Sequence, residues 1–439
     1  MFVAHLRLVN FRSYCDAAVA FGDGLNVVVG ANATGKTNLL EGAWFALRGS
    51  SPRTRREEKL VTWGQRFTRV ELELDGEAAG RQAVDVAYAS GQGKRARWNG
   101  VEVPSQDDLR GRSQVFIFVP ESLLLVKGSP ARRRAHVDAF AAALDPRYAA
   151  AAYDLQAVLR QRNAQLLAVK HGASAAALDP WDVQFARCAA ELGRRRRDLV
   201  SELAESFAAV AAELAPGDAR FSLQLVSQLT AVGFEERALL EELRARRLGE
   251  TSRGLSLFGP QRDDLRFLEV SPPAAAADGR AEADAAAGGG PGEDGHPDER
   301  RAARVPAAVV SGPACGLVEL PRGGRDLRLF GSQGEQRAAV LALLLAEQQL
   351  AAARTGSRGT LFLDDVMSEL DDARRRLLVH MLASAGQAII TTTNRHYFTE
   401  DELEGATVIK LPLDGSVAAG AVEPPTEAAG PAPPEEAAL

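Results

Sequence analysis

The sequence predicts an α/β fold in which a mixed or parallel sheet carries helices on its faces and a helical hairpin domain is inserted. Three features predict it. Strand and helix patterns alternate over residues 325–411, a Gly-rich loop joins an apolar strand to a helix near residue 35, and residues 131–215 show a helical pattern with few turn residues. Alternating strands and helices are typical of parallel sheets, because the crossover helices cover both faces.

The N-terminal part, residues 1–130, is predicted to hold strands around one helix. The strand candidates show alternation or β-branched content between turn residues. They lie at 6–11, 24–30, 69–75, 85–90 and 113–119, and the helix is expected from Gly35 onward.

The remaining chain is predicted to form a mainly helical insertion domain at 131–255 and a second α/β part at 256–411. Within the insertion, two long helices joined near 171–180 are expected to form an antiparallel hairpin. In the second part, strands are expected at 325–331, 360–366, 387–393 and 407–411, with helices at 335–354 and 372–384. Segments 271–308 and 412–439 are rich in Ala, Gly, Pro and charge, so we expect a disordered insertion and a flexible tail.

The composition is globular and excludes several classes of protein. Of 439 residues, 46% are hydrophobic and 25% are charged, and no apolar run approaches the roughly twenty residues that cross a bilayer. The start of the chain carries no secretion pattern, and Cys15, Cys188 and Cys315 lack metal-ligand spacing, so we expect a cytoplasmic protein with no membrane partner. With a net charge of −6, any DNA contact must come from local basic patches.

Residues 30–37, GANATGKT, form a complete phosphate-binding loop. Its glycines let backbone N–H groups curl around phosphates, Lys36 offers a charge to the β and γ phosphates, and the Thr37 hydroxyl is a Mg²⁺ ligand. Only six lysines occur in the chain, so a chance match is a poor explanation. The pattern predicts an ATP and Mg²⁺ site. Its predicted nucleotide contacts are Gly30, Ala31, Asn32, Ala33, Thr34, Gly35, Lys36, Thr37 and Asn38.

Two later motifs carry groups that would complete an ATP and Mg²⁺ site together with this loop. Residues 360–366, TLFLDDV, bring Asp364 to a strand end as a metal ligand and place Asp365 beside it to polarise the attacking water. Residues 332–337, SQGEQR, offer an anion the Ser332 hydroxyl and the free backbone N–H groups around Gly334. Taken alone, the aspartates are more typical of a helix cap, and the serine motif is also a capping box.

In this order the motifs resemble the head of the ABC ATPases. The strings LRLVNFRSY, FVPESLLLVKGSPARRRAHVD and GPQRDDL further resemble the RecF family, in the SMC-like branch that acts on chromosomes and in DNA repair. The resemblance implies an ABC-type ATPase head that forms an ATP-dependent, head-to-tail homodimer, in which Ser332 of one copy covers ATP bound to the other. It also implies that Arg12 lies close to the nucleotide and that Thr393 senses the γ-phosphate, with Asn394 and His396 as further candidates for that role.

The family resemblance implies slow ATP hydrolysis and a role as a recombination mediator in DNA repair and replication restart. Its implied partners are double-stranded and gapped DNA with single-strand/double-strand junctions, a RecR-type mediator protein and, indirectly, the recombinase that is loaded at gaps. Asp365 stands where fast ABC ATPases have glutamate, and its shorter reach suggests slow turnover.

Two alternatives to this function stay open. A nucleotide-gated protein scaffold with negligible hydrolysis would use the same binding residues. Another ABC ATPase, such as a transporter subunit, is disfavoured because about three hundred residues separate the phosphate loop from the serine motif.

Three arginine clusters have two interpretations. Arg132–Arg134, Arg194–Arg197 and Arg374–Arg376 carry the charge needed to contact DNA phosphates. Runs of this kind on helices are also typical of solvated faces paired with Asp and Glu, so we assign none of them as a site.

Overall fold

The computed structural model describes residues 1–76, 80–215, 219–270 and 324–411. The predicted disordered insertion at 271–308 and the predicted tail at 412–439 lie outside these residues, as does Cys315. Within the described ranges the strands pair into three sheets, and no described helix is long and apolar enough to cross a membrane.

The strands follow the apolar and alternating patterns of the sequence. In chain order they are β1 Phe2–Phe11, β2 Tyr14–Ala20, β3 Leu25–Val29, β4 Phe67–Asp75, β5 Gln82–Ala89, β6 Gly93–Trp98, β7 Val101–Glu102, β8 Val115–Phe118, β9 Arg220–Val226, β10 Asp264–Val270, β11 Gly324–Asp326, β12 Thr360–Asp364, β13 Gln387–Thr392 and β14 Thr407–Lys410.

The helices fall into short connectors and long packed elements. They are α1 Lys36–Arg48, α2 Gln106–Arg110, α3 Leu124–Lys127, α4 Pro130–Leu144, α5 Pro146–Lys170, α6 Asp179–Leu214, α7 Leu229–Val232, α8 Glu236–Arg253, α9 Leu327–Phe330, α10 Gln333–Thr355, α11 Asp372–Ala385 and α12 Glu400–Glu404.

The central sheet is parallel and has the order β14-β3-β13-β12-β8. Strands β12 and β13 are buried along their whole length, which explains their continuous apolar runs. Because all five strands point the same way, the ends of β3, β12 and β13 meet at one edge. In the register, Asp364 lies opposite Thr391, and Thr392 lies opposite Val29.

The N-terminal strands build an antiparallel sheet of order β2-β1-β4-β5-β6-β7. Burial alternates along β4, so its apolar side chains face one side, as the period of two requires. These side chains share a hydrophobic core with α1, which therefore lies between this sheet and the central sheet. The phosphate-loop helix is thus held on both sides.

The helical insertion contains the predicted hairpin of α5 and α6, and α4 precedes it as a separate long helix. The fully buried Arg162 of α5 pairs with Asp182 of α6 at 2.8 Å and with Glu250 of α8 at 2.6 Å. Helix α6 also packs against α10 of the second α/β part. The long helices of the insertion are therefore fixed to the sheet-bearing part.

The prediction of a strand at 325–331 is wrong for most of that range. Only the short strand β11 pairs with β10 there, and α9 begins at Leu327. The side chain of Asp326 accepts a hydrogen bond from Arg328 N at 2.9 Å, which caps a helical turn. The alternation of apolar residues in this segment therefore reflects a turn that buries Leu327 and leaves Leu329 and Phe330 exposed.

Candidate nucleotide site

The phosphate loop follows β3 and turns sharply into α1. Gly30 N donates to Thr392 O at 3.1 Å, which ties the loop to β13. A Cβ on Gly30 would lie 2.6 Å from Thr34 Oγ1, so only glycine fits there. Ala33 and Gly35 have φ values of 66° and 98°, in the left-handed region. Residues 31–33 between these turns are exposed, which leaves the rim of the loop open to a ligand.

Lys36 is the first residue of α1, and its side chain bends back over the loop. Its Nζ donates to Gly30 O at 2.7 Å and to Ala31 O at 2.8 Å. Burial lowers the pKa of Lys36, while the charges of Asp365 and Asp364 oppose that shift. The ammonium is therefore held over the loop, and it is close enough to both aspartates for their charges to raise its pKa.

Thr37 and Asp364, which are 327 residues apart in the sequence, are joined by a hydrogen bond. Thr37 Oγ1 donates to Asp364 Oδ2 at 2.7 Å, and Thr391 Oγ1 donates to Asp364 Oδ1 at 2.6 Å. Asp364 is 5% exposed, so both carboxylate oxygens are fixed in a buried setting. A hydroxyl and a carboxylate are hard oxygen ligands of the kind that Mg²⁺ accepts.

Asp365 leaves β12 with a φ of 48°, a left-handed conformation that Asp tolerates better than most residues. Its N–H points at the end of β13, where it lies 3.1 Å from Thr391 Oγ1 and 3.2 Å from Thr391 O. Such conformations are frequent at functional sites because the surrounding structure must hold them. The turn places the Asp365 carboxylate within electrostatic reach of Lys36.

Arg12 contacts α1 through a bidentate pair with Glu41, at 2.9 and 2.7 Å. Its Nη1 also donates to Lys59 O at 2.8 Å. Asn38, one turn earlier on α1, donates to Ser13 Oγ at 2.9 Å. The structure thus sets Arg12 and Asn38 beside the phosphate-loop helix, and their contact with a nucleotide stays a prediction.

The serine motif caps the start of α10. Ser332 and Gly334 are exposed at the start of α10, and Ser332 with Glu335 forms the predicted capping box at 3.2 and 2.6 Å. No hydrogen bond joins Ser332 to residues 30–38 in the described part of the chain. Thr393 follows β13 and is half-buried, and its sensing of the γ-phosphate stays a prediction.

Comparison with known proteins identifies the family. The RecF/RecN/SMC N terminal domain family matches residues 2–410. The DNA replication and repair protein RecF of Heliobacterium modesticaldum is 31% identical over 418 residues, which cover 94% of this chain and 97% of that protein. This chain belongs to the RecF family. The RecF protein of Lacticaseibacillus casei is 30% identical over 93% of this chain and 97% of its own length.

Solved structures show the same fold. The recombination mediator protein RecF-ATPrS in the RecFOR pathway matches with a TM-score of 0.71 and 24% identity, over 96% of this chain and 98% of that one. An Smc head bound to the C-winged helix domain of ScpA matches with a TM-score of 0.51 and 14% identity, over 95% of this chain and 96% of that one. The predicted ABC-type head and the predicted family are confirmed.

The three arginine clusters of this RecF-family chain are largely occupied by structural pairs. Buried Arg133 pairs with both oxygens of Asp264, at 2.7 and 2.9 Å, and buried Arg196 donates to Asp263 at 2.6 Å. Arg375 donates to Met367 O at 2.7 Å and lies over the Tyr397 ring. These side chains hold elements together and are poorly placed to contact DNA phosphates.

Sequence reasoning missed two residues of the RecF-family site. Thr391 holds Asp364, and Tyr14 donates its hydroxyl to Gly35 O at 2.9 Å. A Cβ on Gly35 would lie 2.7 Å from that same hydroxyl. The sequence offers no signal for Tyr14 beyond its place in the NFRSY string. The role of Thr391 can be recognised only from the register of β13 beside β12, which sets it opposite Asp364.

The described residues contain no group of three or more His, Cys, Asp or Glu side chains that would hold a metal ion by themselves. Mg²⁺ usually takes only one or two carboxylates from a protein and completes its shell with phosphate oxygens and water. In this chain Thr37 and Asp364 are the residues that fit such an ion.

Proposed function

We propose that this RecF-family chain is a slow, Mg²⁺-dependent ATPase that dimerises on ATP and acts on DNA as a recombination mediator. The observation that carries the proposal is the 2.7 Å hydrogen bond between Thr37 and Asp364. It unites a phosphate-binding loop and an acidic strand end that are remote in sequence, which is the arrangement that an ATP-Mg²⁺ site requires.

Each residue has a separate role in the proposed reaction. Lys36 contacts the β and γ phosphates, Thr37 and Asp364 hold Mg²⁺, and Asp365 orients the attacking water. The metal supplies positive charge that neutralises the phosphate oxygens. Ser332 then completes the site of a second copy, and its exposed position supports that role.

The proposed partners follow from the family. The relatives are named as DNA replication and repair proteins, and a solved relative is described as a recombination mediator in the RecFOR pathway. We infer that this chain binds duplex and gapped DNA near single-strand/double-strand junctions. It would work with a RecR-type mediator and indirectly help to load the recombinase, in the cytoplasm near the nucleoid.

Part of the surface supports DNA binding. The segment 53–66 follows α1, and Arg55, Arg56, Lys59 and Arg66 are exposed along it with no ion pair in the described residues. Its Trp63 side chain is 99% exposed. Unpaired cations attract phosphates, and exposed aromatic rings stack on bases.

ATP turnover with and without DNA tests hydrolysis and separates it from the scaffold alternative. The reaction is measured for the wild type, Lys36→Met and Asp365→Asn, with duplex and with gapped DNA. DNA should raise wild-type turnover, and both variants should lose at least ten-fold. If DNA has no effect and neither variant changes the rate, the chain is a nucleotide-gated scaffold.

Ser332→Arg tests the head-to-tail dimer. Because Ser332 lies outside the loop that holds ATP in its own chain, the variant should bind ATP normally but remain a monomer in sedimentation with ATP. Ser174→Arg is the matched control, since Ser174 is also an exposed capping serine but lies in the hairpin turn. An ATP-dependent dimer of Ser332→Arg would refute the arrangement.

A further inference from the structure

A second cleft lies between the end of α1, strand β8 and the facing sides of α4 and α10. Its volume is about 410 Å³, which is within the range of small-molecule sites. None of the residues assigned to the nucleotide lines it. Its walls are mainly apolar and include Trp44, Phe116, Phe140 and Leu344. Ala139 of α4 is one of several small side chains that leave the space open.

Arg48, the last residue of α1, brings a positive charge into this apolar cleft. Its Nη1 donates to Arg110 O and its Nη2 to Val115 O, both at 2.8 Å. It has no carboxylate partner in the described residues. Burial, and then the charge of Arg110, lower the pKa of Arg48 to about 10. A cation that is desolvated without a counter-charge is stabilised by a bound anion.

Further polar groups lie along the length of the cleft. Gln114 and Glu121 line the cleft, and Glu121 Oε1 lies 3.7 Å from Arg53 Nε. Gln114 Oε1 and Glu121 Oε2 are buried and accept no hydrogen bond within the described chain, so each is available to a donor from a ligand. They flank β8, which at about 3.3 Å per residue is about 13 Å long. His136 and Glu347 also line the cleft, where His136 Nε2 lies 2.8 Å from Glu347 Oε1 and the Glu347 side chain is 2% exposed.

We propose that this cleft binds an elongated organic acid that has an apolar body and at least one N–H or O–H donor. The acidic group lies on Arg48, the apolar body lies between Phe140 and Leu344, and the donors meet Gln114 or Glu121. This site is separate from the proposed nucleotide site.

The position of the cleft gives the ligand a way to affect ATP-driven dimerisation. Helix α1 begins at Lys36 in the phosphate loop and ends at Arg48 in the cleft. Helix α10 begins next to Ser332 and passes Glu347 in the cleft wall. A ligand that contacts both helices favours one arrangement of the two over others, and a ligand shifts an equilibrium through such differential contacts.

A pair of matched dyes tests the site on the full chain. The anion 8-anilinonaphthalene-1-sulfonate has an apolar body, a sulfonate and an N–H donor, and N-phenyl-1-naphthylamine is its neutral counterpart. Binding is followed by dye fluorescence and by energy transfer from Trp44, with Trp44→Phe removing that signal. The wild type should bind one anion per chain, at least ten-fold more tightly than the neutral dye.

Three variants distinguish a built site from general dye adsorption. Arg48→Met should abolish the preference for the anion. Ala139→Phe should fill the cleft and weaken both dyes at least ten-fold, whereas Ala150→Phe, on the exposed face of α5, should leave binding unchanged. Unsaturable dye binding, or equal binding by wild type and Ala139→Phe, would overturn the proposal.

The coupling between ligand binding in the cleft and ATP-driven dimerisation is measured without reference to hydrolysis. With the anion at saturation, the ATP concentration that half-saturates dimerisation should shift at least three-fold in the wild type and stay constant in Ala139→Phe. An equal value with and without the anion would overturn the coupling. The dye measurements alone need no ATP, so the site can fail or stand independently of the proposed function.

Discussion

Replacement of Thr391 by valine removes a single hydroxyl from the edge of the central sheet at which Thr37 and Asp364 meet. Thr391 is 0% exposed, and its Oγ1 donates to Asp364 Oδ1 at 2.6 Å. The same oxygen lies 3.1 Å from Asp365 N. Valine has nearly the same shape, so the buried Asp364 carboxylate loses one of its two hydroxyl donors without creation of a large cavity.

The expected magnitude follows from the charge on the acceptor. A hydrogen bond to a charged group contributes about 1.5–3 kcal/mol, and about 1.4 kcal/mol corresponds to a factor of ten. Partners that orient a metal ligand are typically worth about 10- to 100-fold in metal affinity. We therefore expect the Mg²⁺ concentration that half-saturates ATP binding to rise by about 10- to 100-fold in Thr391→Val.

The assay is equilibrium binding of a fluorescent ATP analogue titrated with Mg²⁺. Thr391→Ser keeps the hydroxyl and should stay within about three-fold of the wild type. Thermal unfolding of both variants without nucleotide separates a loss of fold from a loss of metal binding. If Thr391→Val needs no more Mg²⁺ than Thr391→Ser, the hydroxyl does not position Asp364 for the metal.

Two further predictions concern stability. Arg196→Met leaves Asp263, which is 1% exposed, without its 2.6 Å partner, and the free energy of unfolding in denaturant should fall by about 3–5 kcal/mol. Replacement of the exposed Arg197 by methionine should lower it by less than about 1 kcal/mol. Equal losses in the two variants would contradict the stabilising role of the buried pair. For His136, burial lowers the pKa, but attraction to Glu347 outweighs it and the net pKa is raised. The pair therefore stabilises the fold fully below about pH 6.5, and the stabilisation is lost as pH rises through the raised folded value. The melting temperature of His136→Gln should fall further below wild type at pH 6 than at pH 9, and a constant difference would show that His136 is not charged in this pair.

The parts of the site that could be predicted depend on short-range sequence. The phosphate loop is a contiguous string, and its Gly35 has a φ of 98°, which few residue types adopt readily. Its Gly30 leaves space beside Thr34 that a Cβ would fill. The meeting of Thr37 and Asp364 could also be predicted. Asp364 ends β12, Thr37 follows β3 through the phosphate loop, and parallel strands end at one edge. Thr391 could not, since its role depends on β13 lying directly beside β12 in a register that sets it opposite Asp364.

The remaining differences between expectation and structure depend on which side chains pair with one another in the folded chain. The segment 325–331 has a strand-like alternation, but the cap supplied by Asp326 favours a helical turn. Arg133 and Arg196 resemble surface charges in a helical run, yet Asp264 and Asp263 reach them from beyond the predicted insertion domain at 131–255. A charge pattern on one helix does not reveal a carboxylate that tertiary folding brings to it.

The arrangement of these groups indicates which part of the proposed cycle is open to control. Lys36 is held by loop carbonyls and Asp364 by two hydroxyls, so the groups that would receive the triphosphate and the metal are already together in one chain. Ser332 is exposed and makes no hydrogen bond to that site in the described residues. Under the proposed function, ATP binding therefore requires little rearrangement, whereas hydrolysis waits for a second copy. A ligand, DNA or partner protein would then regulate the chain most effectively by changing how two copies meet, because the single-copy site is largely assembled before they do.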